Sequence, residues 1–251
     1  VNAWNDSILR RFDAAAATYE GHAGPQFRVA RDLAARVLAL SPRLAPEVLE
    51  IGCGTGFLTD ALAPGLPGCR WLATDLAPNM VAACARRNLP GVVLRVMDGE
   101  FPDLPERSFD LIVSSLAVQW FGDLAAGLTR LHGLLRPGGV LAVTTLGAGT
   151  FPEWRRQCHS AGAEPGTPAY PSAEALAAAL PGCAVLRQPL PHRCGSLKGF
   201  LDHLRLTGAR TAAPGHPALS PAALGRILRA GGAGPFTATY DVLTVIWRKE
   251  P

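Results

Sequence analysis

Apolar positions along this 251-residue chain keep two rhythms in turn. Between Ser7 and Leu40 they recur at the 3.6-residue spacing of amphipathic helix, with a break near Gly21–Pro25. Pro46–Gly52, reading PEVLEIG, is instead a short apolar run ending in glycine, the pattern of a strand buried on both faces. Helical spacing over Phe57–Ala63 follows, then a second strand over Arg70–Asp75, a helix over Asn79–Arg87 and a third strand over Val92–Val96. Phe109–Ser114 predicts a fourth strand and Leu124–Leu135 a further helix. Arg136–Gly139 (RPGG) reads as a stop and turn before a fifth strand over Val140–Leu146. Strands alternating with helices predict an α/β fold, a doubly wound and mostly parallel sheet covered on both faces.

After Leu146 the rhythm changes. Residues 151–235 hold many of the Pro and Gly residues and several short helical stretches. Two more strands are expected, Ala184–Gln188 and the clearer Ala238–Trp247, which bring the sheet to seven. The second part therefore reads as a helical cap inserted after the fifth strand and interleaved with the sheet.

Composition narrows the class. Hydrophobic residues make up 48% and charged residues 18%, too apolar for a disordered chain. No uninterrupted apolar run reaches the roughly 18 residues that span a bilayer. The opening VNAWNDSILRRFD has no apolar h-region, so a cytoplasmic protein is expected. The net charge of +4 divides unevenly: residues 1–150 hold 13 basic and 14 acidic side chains, and residues 151–251 hold 11 and 6. An anionic partner is expected on the second part, and no long Lys/Arg run points to nucleic acid. Six cysteines form no C-x-x-C pair, so reduced thiols are expected. Cys158 beside His159 lacks a second ligand pair, and no metal is expected.

The strongest local signal is Glu50-Ile51-Gly52-Cys53-Gly54-Thr55-Gly56, directly after the first strand. Alternate glycines let the backbone approach a ligand, and the following helix N-terminus favours negative charge. Phe57 stands where a dinucleotide fingerprint needs glycine, and no Gly-Lys phosphate loop is present. Acids recur at the ends of the next two strands, Asp75 and then Met97-Asp98-Gly99-Glu100.

This set resembles the class I S-adenosylmethionine-dependent methyltransferases, which are Rossmann-like. The resemblance implies a glycine turn (Gly52, Cys53, Gly54, Thr55, Gly56) around the amino-acid end of S-adenosylmethionine, anchored by Glu50. It also implies Asp75 on the ribose hydroxyls, with Leu76 and Met80 following, and Asp98 near the adenine amino group beside Met97, Gly99 and Glu100. Ser114, at the end of the fourth strand, is expected beneath the cofactor. Phe12–Glu20 (FDAAAATYE), Ser114–Trp120 (SSLAVQW) and Thr144-Thr145-Leu146 narrow the likeness to the malonyl-acyl-carrier-protein O-methyltransferases of biotin synthesis. The tail segments Leu204–Arg210 (LRLTGAR), Leu219–Leu228 and Phe236–Trp247 agree with it less densely. Arg205 stands where the group's "LKGIGA"-like segment has lysine, and arginine binds anions bidentately where lysine acts as a point charge.

The resemblance implies a division into lid helices and cofactor core (1–150), substrate-binding cap (151–235) and closing strand (236–251). It also implies a monomer acting on an acidic acyl carrier protein that bears a malonyl group. A malonyl carboxylate is ionised at neutral pH and needs no general base, which leaves positioning and exclusion of water. Arg205 or Arg210 is the expected partner of that carboxylate, Tyr19 the expected cover of the methyl group and Trp120 a wall of the pocket. The opposing readings are solvated helix-face arginines and aromatic core anchors. His132 and His203 read as structural, and His22 lies near the lid break. Competing functions are methylation of a free small acid such as trans-aconitate, methylation of a quinone precursor, or a catalytically silent binding module.

Overall fold

A computed structural model of the chain describes residues 3–40, 44–210, 213, 215–217, 219–232 and 234–251. Three helices lead in: α1 (Ala3–Ala15), the single turn α2 (Tyr19–His22) and α3 (Gly24–Ala39). The core then alternates β1 (Glu47–Ile51), α4 (Phe57–Leu62), β2 (Arg70–Asp75), α5 (Pro78–Ala85), β3 (Val92–Val96), β4 (Phe109–Ser115), α6 (Leu124–Gly133) and β5 (Leu135–Leu146). Helices α7 (Pro152–Ser160) and α8 (Ala173–Ala179) precede β6 (Ala184–Arg193), and α9 (Leu197–Leu206) and α10 (Pro221–Gly231) precede β7 (Thr237–Arg248).

The seven strands lie in the order β3-β2-β1-β4-β5-β7-β6. Pairings from β3 to β5 are parallel, and β7 runs antiparallel to both β5 and β6. From β1 the chain winds outward through β2 and β3; from β4 it winds the other way. That reversal opens a crevice at the strand C-termini between β1 and β4, where doubly wound sheets bind ligands.

Burial explains the order. Val48, Leu49 and Ile51 of β1 and Leu111, Ile112 and Val113 of β4 are buried, as central strands covered on both faces require. On one face Leu33, Val37, Leu58, Leu62 and Trp71 pack together from α3, α4 and β2. On the other, Leu128 and Leu131 of α6 and Leu176 of α8 meet Ile112, Leu141 and Val143. A third cluster joins α7, α9 and α10 to the start of β7 through Trp154, Phe200, Ile227 and Tyr240. The edges are built for exposure. Pro189 and Pro191 sit in the β6 edge strand, where alternate residues share one hydrogen-bonding direction and the missing N–H groups face outward.

One expectation is corrected in detail. Arg136–Gly139 does not end a helix ahead of a separate strand. Phe109 pairs with Leu135 and Leu111 with Val140, so RPGG is extruded as a bulge inside β5, with Gly138 at φ +75°. The lid break expected near Gly21–Pro25 falls at Ala23, which alone separates α2 from α3 because Pro25 suits the first turn of α3; a further break follows Ala15, where α1 ends. Among the described residues no helix is long and apolar enough to cross a membrane, and no cluster of His, Cys, Asp or Glu suits a metal.

Candidate active site

The loop after β1 turns at Gly52, whose φ of +67° favours glycine. A Cβ placed there would stand 2.1 Å from the Cβ of Ala117, so the loops leaving β1 and β4 touch with no room for a side chain. Gly54 differs: a Cβ on it meets nothing within 4 Å, and its face opens into a cavity. Asp75, at the C-terminal end of β2, ties the loop down by accepting from the Gly54 N–H and the Ala77 N–H, each at 2.9 Å. Burial raises its pKa.

The cavity gathers most of the expected residues. Gly52, Gly54, Asp75, Leu76 and Met80 line one side, and Met97, Asp98, Gly99 and Glu100 another. Tyr19 and Trp120 complete it from the lid side. Asp98 folds back in an Asx turn onto the Glu100 N–H (2.9 Å) and accepts from Asn5 Nδ2 at 3.3 Å. The Glu100 carboxylate is committed to the fold. It accepts from the N–H groups of Gly122 (2.8 Å) and Asp123 (2.9 Å), and Arg130 pairs with it at 3.5 Å. Glu100 thereby fixes the loop that leads into α6.

Five of the expected cofactor residues stand outside the lining: Glu50, Cys53, Thr55, Gly56 and Ser114. The Ser114 hydroxyl donates to the Ile51 carbonyl at 2.7 Å, joining β4 to β1, and its neighbour Ser115 faces the cavity. Strand alternation makes the difference. Cys53 is buried behind the loop. Thr55 Oγ1 is buried without a hydrogen-bond partner in the loop itself.

Glu50 points behind the loop as well. Its Oε2 accepts from the Thr59 hydroxyl at 2.7 Å and the Trp71 indole N–H at 3.1 Å. Burial, the dominant cause, raises its pKa to about 8. The folded chain then holds a proton that the unfolded chain has lost, so this contribution is full below about pH 4.5 and disappears as pH rises through about 8. The difference in stability between wild type and Glu50→Gln, from thermal or urea unfolding of the ligand-free protein, is expected to fall by up to about 1.4 kcal/mol per pH unit between about pH 5.5 and 7. A difference that stays constant over that range rejects Glu50 as its source.

The lid is α1, whose cavity-facing residues, Phe12 apart, belong to no motif of the sequence. Asn5, Ile8 and Phe12 line the cavity from above. Trp4 Nε1 donates to the Trp120 carbonyl at 3.1 Å, and the ring of Trp120 meets those of Trp4 and Phe12 at 6.2 and 5.6 Å. Asp13 receives the Asn79 N–H at 2.7 Å, at the start of α5. Tyr19 packs on Phe57 at 6.0 Å, and burial together with the nearby Asp75 raises its pKa, keeping the hydroxyl protonated. Leu116, at the end of β4, holds φ at +49°, a conformation costly for leucine and met at functional sites. The cavity beneath α1 measures about 100 Å³.

Arg205 and Arg210 lie elsewhere. They line a second cleft, on the far side of α1 from the cavity. A seam holds α1 against α9 there: Thr18 Oγ1 donates to the Leu206 carbonyl at 3.0 Å. Gly208, at φ +72°, packs so closely that a Cβ would stand 3.0 Å from the Arg11 carbonyl oxygen and 3.1 Å from Phe12 Cα. His203 is buried 2.6 Å from the Tyr240 hydroxyl, and burial lowers its pKa to about 4. His132 stacks on Trp247 at 4.0 Å. His22 donates to the Thr18 carbonyl at 2.9 Å.

Comparison with known proteins places this geometry. Residues 49–141 match the family model described as a methyltransferase domain. The biotin biosynthesis bifunctional protein BioCD of Bordetella avium is 45% identical over 245 residues, which cover 97% of this chain and 52% of that protein. Malonyl-[acyl-carrier protein] O-methyltransferase of Magnetococcus marinus is 41% identical over 236 residues, 91% of this chain and 87% of that protein. The chain belongs to the malonyl-[acyl-carrier protein] O-methyltransferase family. It spans about half the length of the Bordetella relative and most of the Magnetococcus one. Among solved structures, the YcgJ protein of Bacillus subtilis shares the fold at a TM-score of 0.62 and 14% identity, covering 88% of this chain and 99% of that one. The phosphoethanolamine N-methyltransferase 2 of Haemonchus contortus, solved with S-adenosylhomocysteine, gives 0.62 at 16% identity over 100% of this chain and 61% of that one. The fold is that of the class I methyltransferases, and the methyl donor is S-adenosylmethionine. The site has features that suit it: an open face at Gly54 and a carboxylate at each of Asp75 and Asp98.

Proposed function

We propose that this chain methylates the free carboxylate of a malonyl group held as a thioester on an acyl carrier protein, giving the methyl ester at an early step of biotin synthesis. The extent of the likeness to the Magnetococcus enzyme carries this reading, since it runs through the lid and the tail and not only through the cofactor core. When bound, the cofactor supplies a methyl group on a sulfonium, already electrophilic.

The chain's own residues then position and shield. Asp75 would hold the ribose hydroxyls on the lone pairs left by its backbone contacts, and Asp98 would hold the adenine end. The closed α1, with Phe12 against Trp120, keeps water from the reacting centre. Tyr19, held protonated beside Asp75, is a hydrogen-bond donor at the lid break. The carboxylate is ionised at neutral pH and attacks without a base. Residues 151–235 hold most of the basic excess of the second part and are the side on which an acidic carrier docks.

Labelled S-adenosylmethionine offered with malonyl-, succinyl- and acetyl-carrier protein, malonyl-CoA and trans-aconitate tests this. Label is expected on malonyl-carrier protein, with a KM that rises with salt. Transfer to a free acid alone overturns the substrate.

A further inference from the structure

A larger opening than the cofactor cavity lies on the other side of α1. It is the second cleft, about 960 Å³, walled by α1, α7, α9, α10 and by residues 165–168, 170, 208–210, 216, 217 and 219. Trp154, Tyr170, Leu201 and Leu204 give it an apolar interior. Four cations, Arg11, Lys198, Arg205 and Arg210, face it against a single carboxylate among the described lining residues, Asp202. Lys198 answers that carboxylate at 2.6 Å, and Arg205 approaches it at 3.9 Å. Arg11 and Arg210 have no ion-pair partner among the described residues and are both exposed. An apolar channel with unpaired arginines at its rim suits a long, mostly uncharged chain that ends in an anion. Guanidinium groups meet a phosphodiester with paired N–H donors.

The cleft and the cofactor cavity share chain neighbours at two points: Arg11 lines the cleft and Phe12 the cavity, and Thr18 lines the cleft and Tyr19 the cavity. The wall between them is therefore α1 together with the break that follows it, and at that break the two openings are one residue apart.

We propose that this cleft holds the thioester arm by which the carrier presents its acyl group, with Arg11, Arg205 and Arg210 on the phosphodiester at the carrier end and the malonyl end entering beside Tyr19. This rests on the malonyl-carrier reading above. It moves Arg205 and Arg210 from the malonyl carboxylate to the other end of the substrate.

The test uses the intact chain with malonyl-carrier protein and with a short malonyl thioester that lacks the phosphodiester. Leu201→Trp fills the cleft; Arg11→Ala/Arg210→Ala removes the unpaired cations. Each is expected to raise KM for malonyl-carrier protein about tenfold. The preference for carrier over short thioester, as a ratio of kcat/KM, is expected to fall by the same factor. Calorimetry with S-adenosylhomocysteine and a melting curve report whether the cofactor site and the fold survive. Equal losses on both substrates, or no loss on either, overturn the assignment of the cleft while leaving the function standing. A wild-type chain that methylates no malonyl thioester overturns both.

Discussion

Gly52→Ala is expected to weaken S-adenosylhomocysteine binding by about 100-fold, close to 2.7 kcal/mol. Two costs add. Alanine at a φ of +67° carries backbone strain of about 1–2 kcal/mol. The new methyl also lands 2.1 Å from Ala117 Cβ, and Ala117 lines the same cavity, so relief of the clash moves the loop after β4 out of position. Titration calorimetry measures the loss. The paired variant Gly52→Ala/Ala117→Gly removes the collision and keeps the strain, and about tenfold of the affinity is expected back. A single variant that binds as tightly as wild type shows that this loop does not cradle the cofactor.

Gly208→Val should loosen cofactor binding about tenfold, although Gly208 touches no part of the cavity. The valine side chain meets the Arg11 carbonyl oxygen and Phe12 Cα, both backbone atoms of the lid helix and unable to rotate aside. α1 is pushed off α9 and can no longer close Phe12 over Trp120. Hydrogen exchange in residues 5–15 rises accordingly. Gly162→Ala is the control, since Gly162 shares a positive φ of +64° but has nothing within 4 Å. If that substitution loosens the cofactor equally, the effect is general destabilisation and the lid contact is not its cause.

The core was readable because its signals are local. The glycines after β1, the acids after β2 and β3 and the apolar runs between them lie within a few residues of the structure they dictate. Glu50 was misplaced in orientation because what turns it away, Thr59 and Trp71, reaches it from α4 and from β2. Ser114 differs from Ser115 only by strand alternation, and no local signal says which face of β4 ends under the ligand. Asn5, Ile8 and Phe12 sit on an amphipathic helix whose spacing is the same whether its apolar face covers a core or a cofactor. The RPGG segment carries the same turn signal whether it ends an element or bulges from one; the pairing of β4 decided it. Arg205 and Arg210 were assigned by charge, which names the kind of partner and leaves open which end of it they meet.

The lid helix turns Asn5, Ile8 and Phe12 to one chamber and Arg11, Ala14 and Ala15 to the other. A wall common to two chambers makes their ligands thermodynamic partners. Whatever factor bound cofactor adds to the affinity of the cleft for its own ligand, by settling α1, that ligand must return to the cofactor.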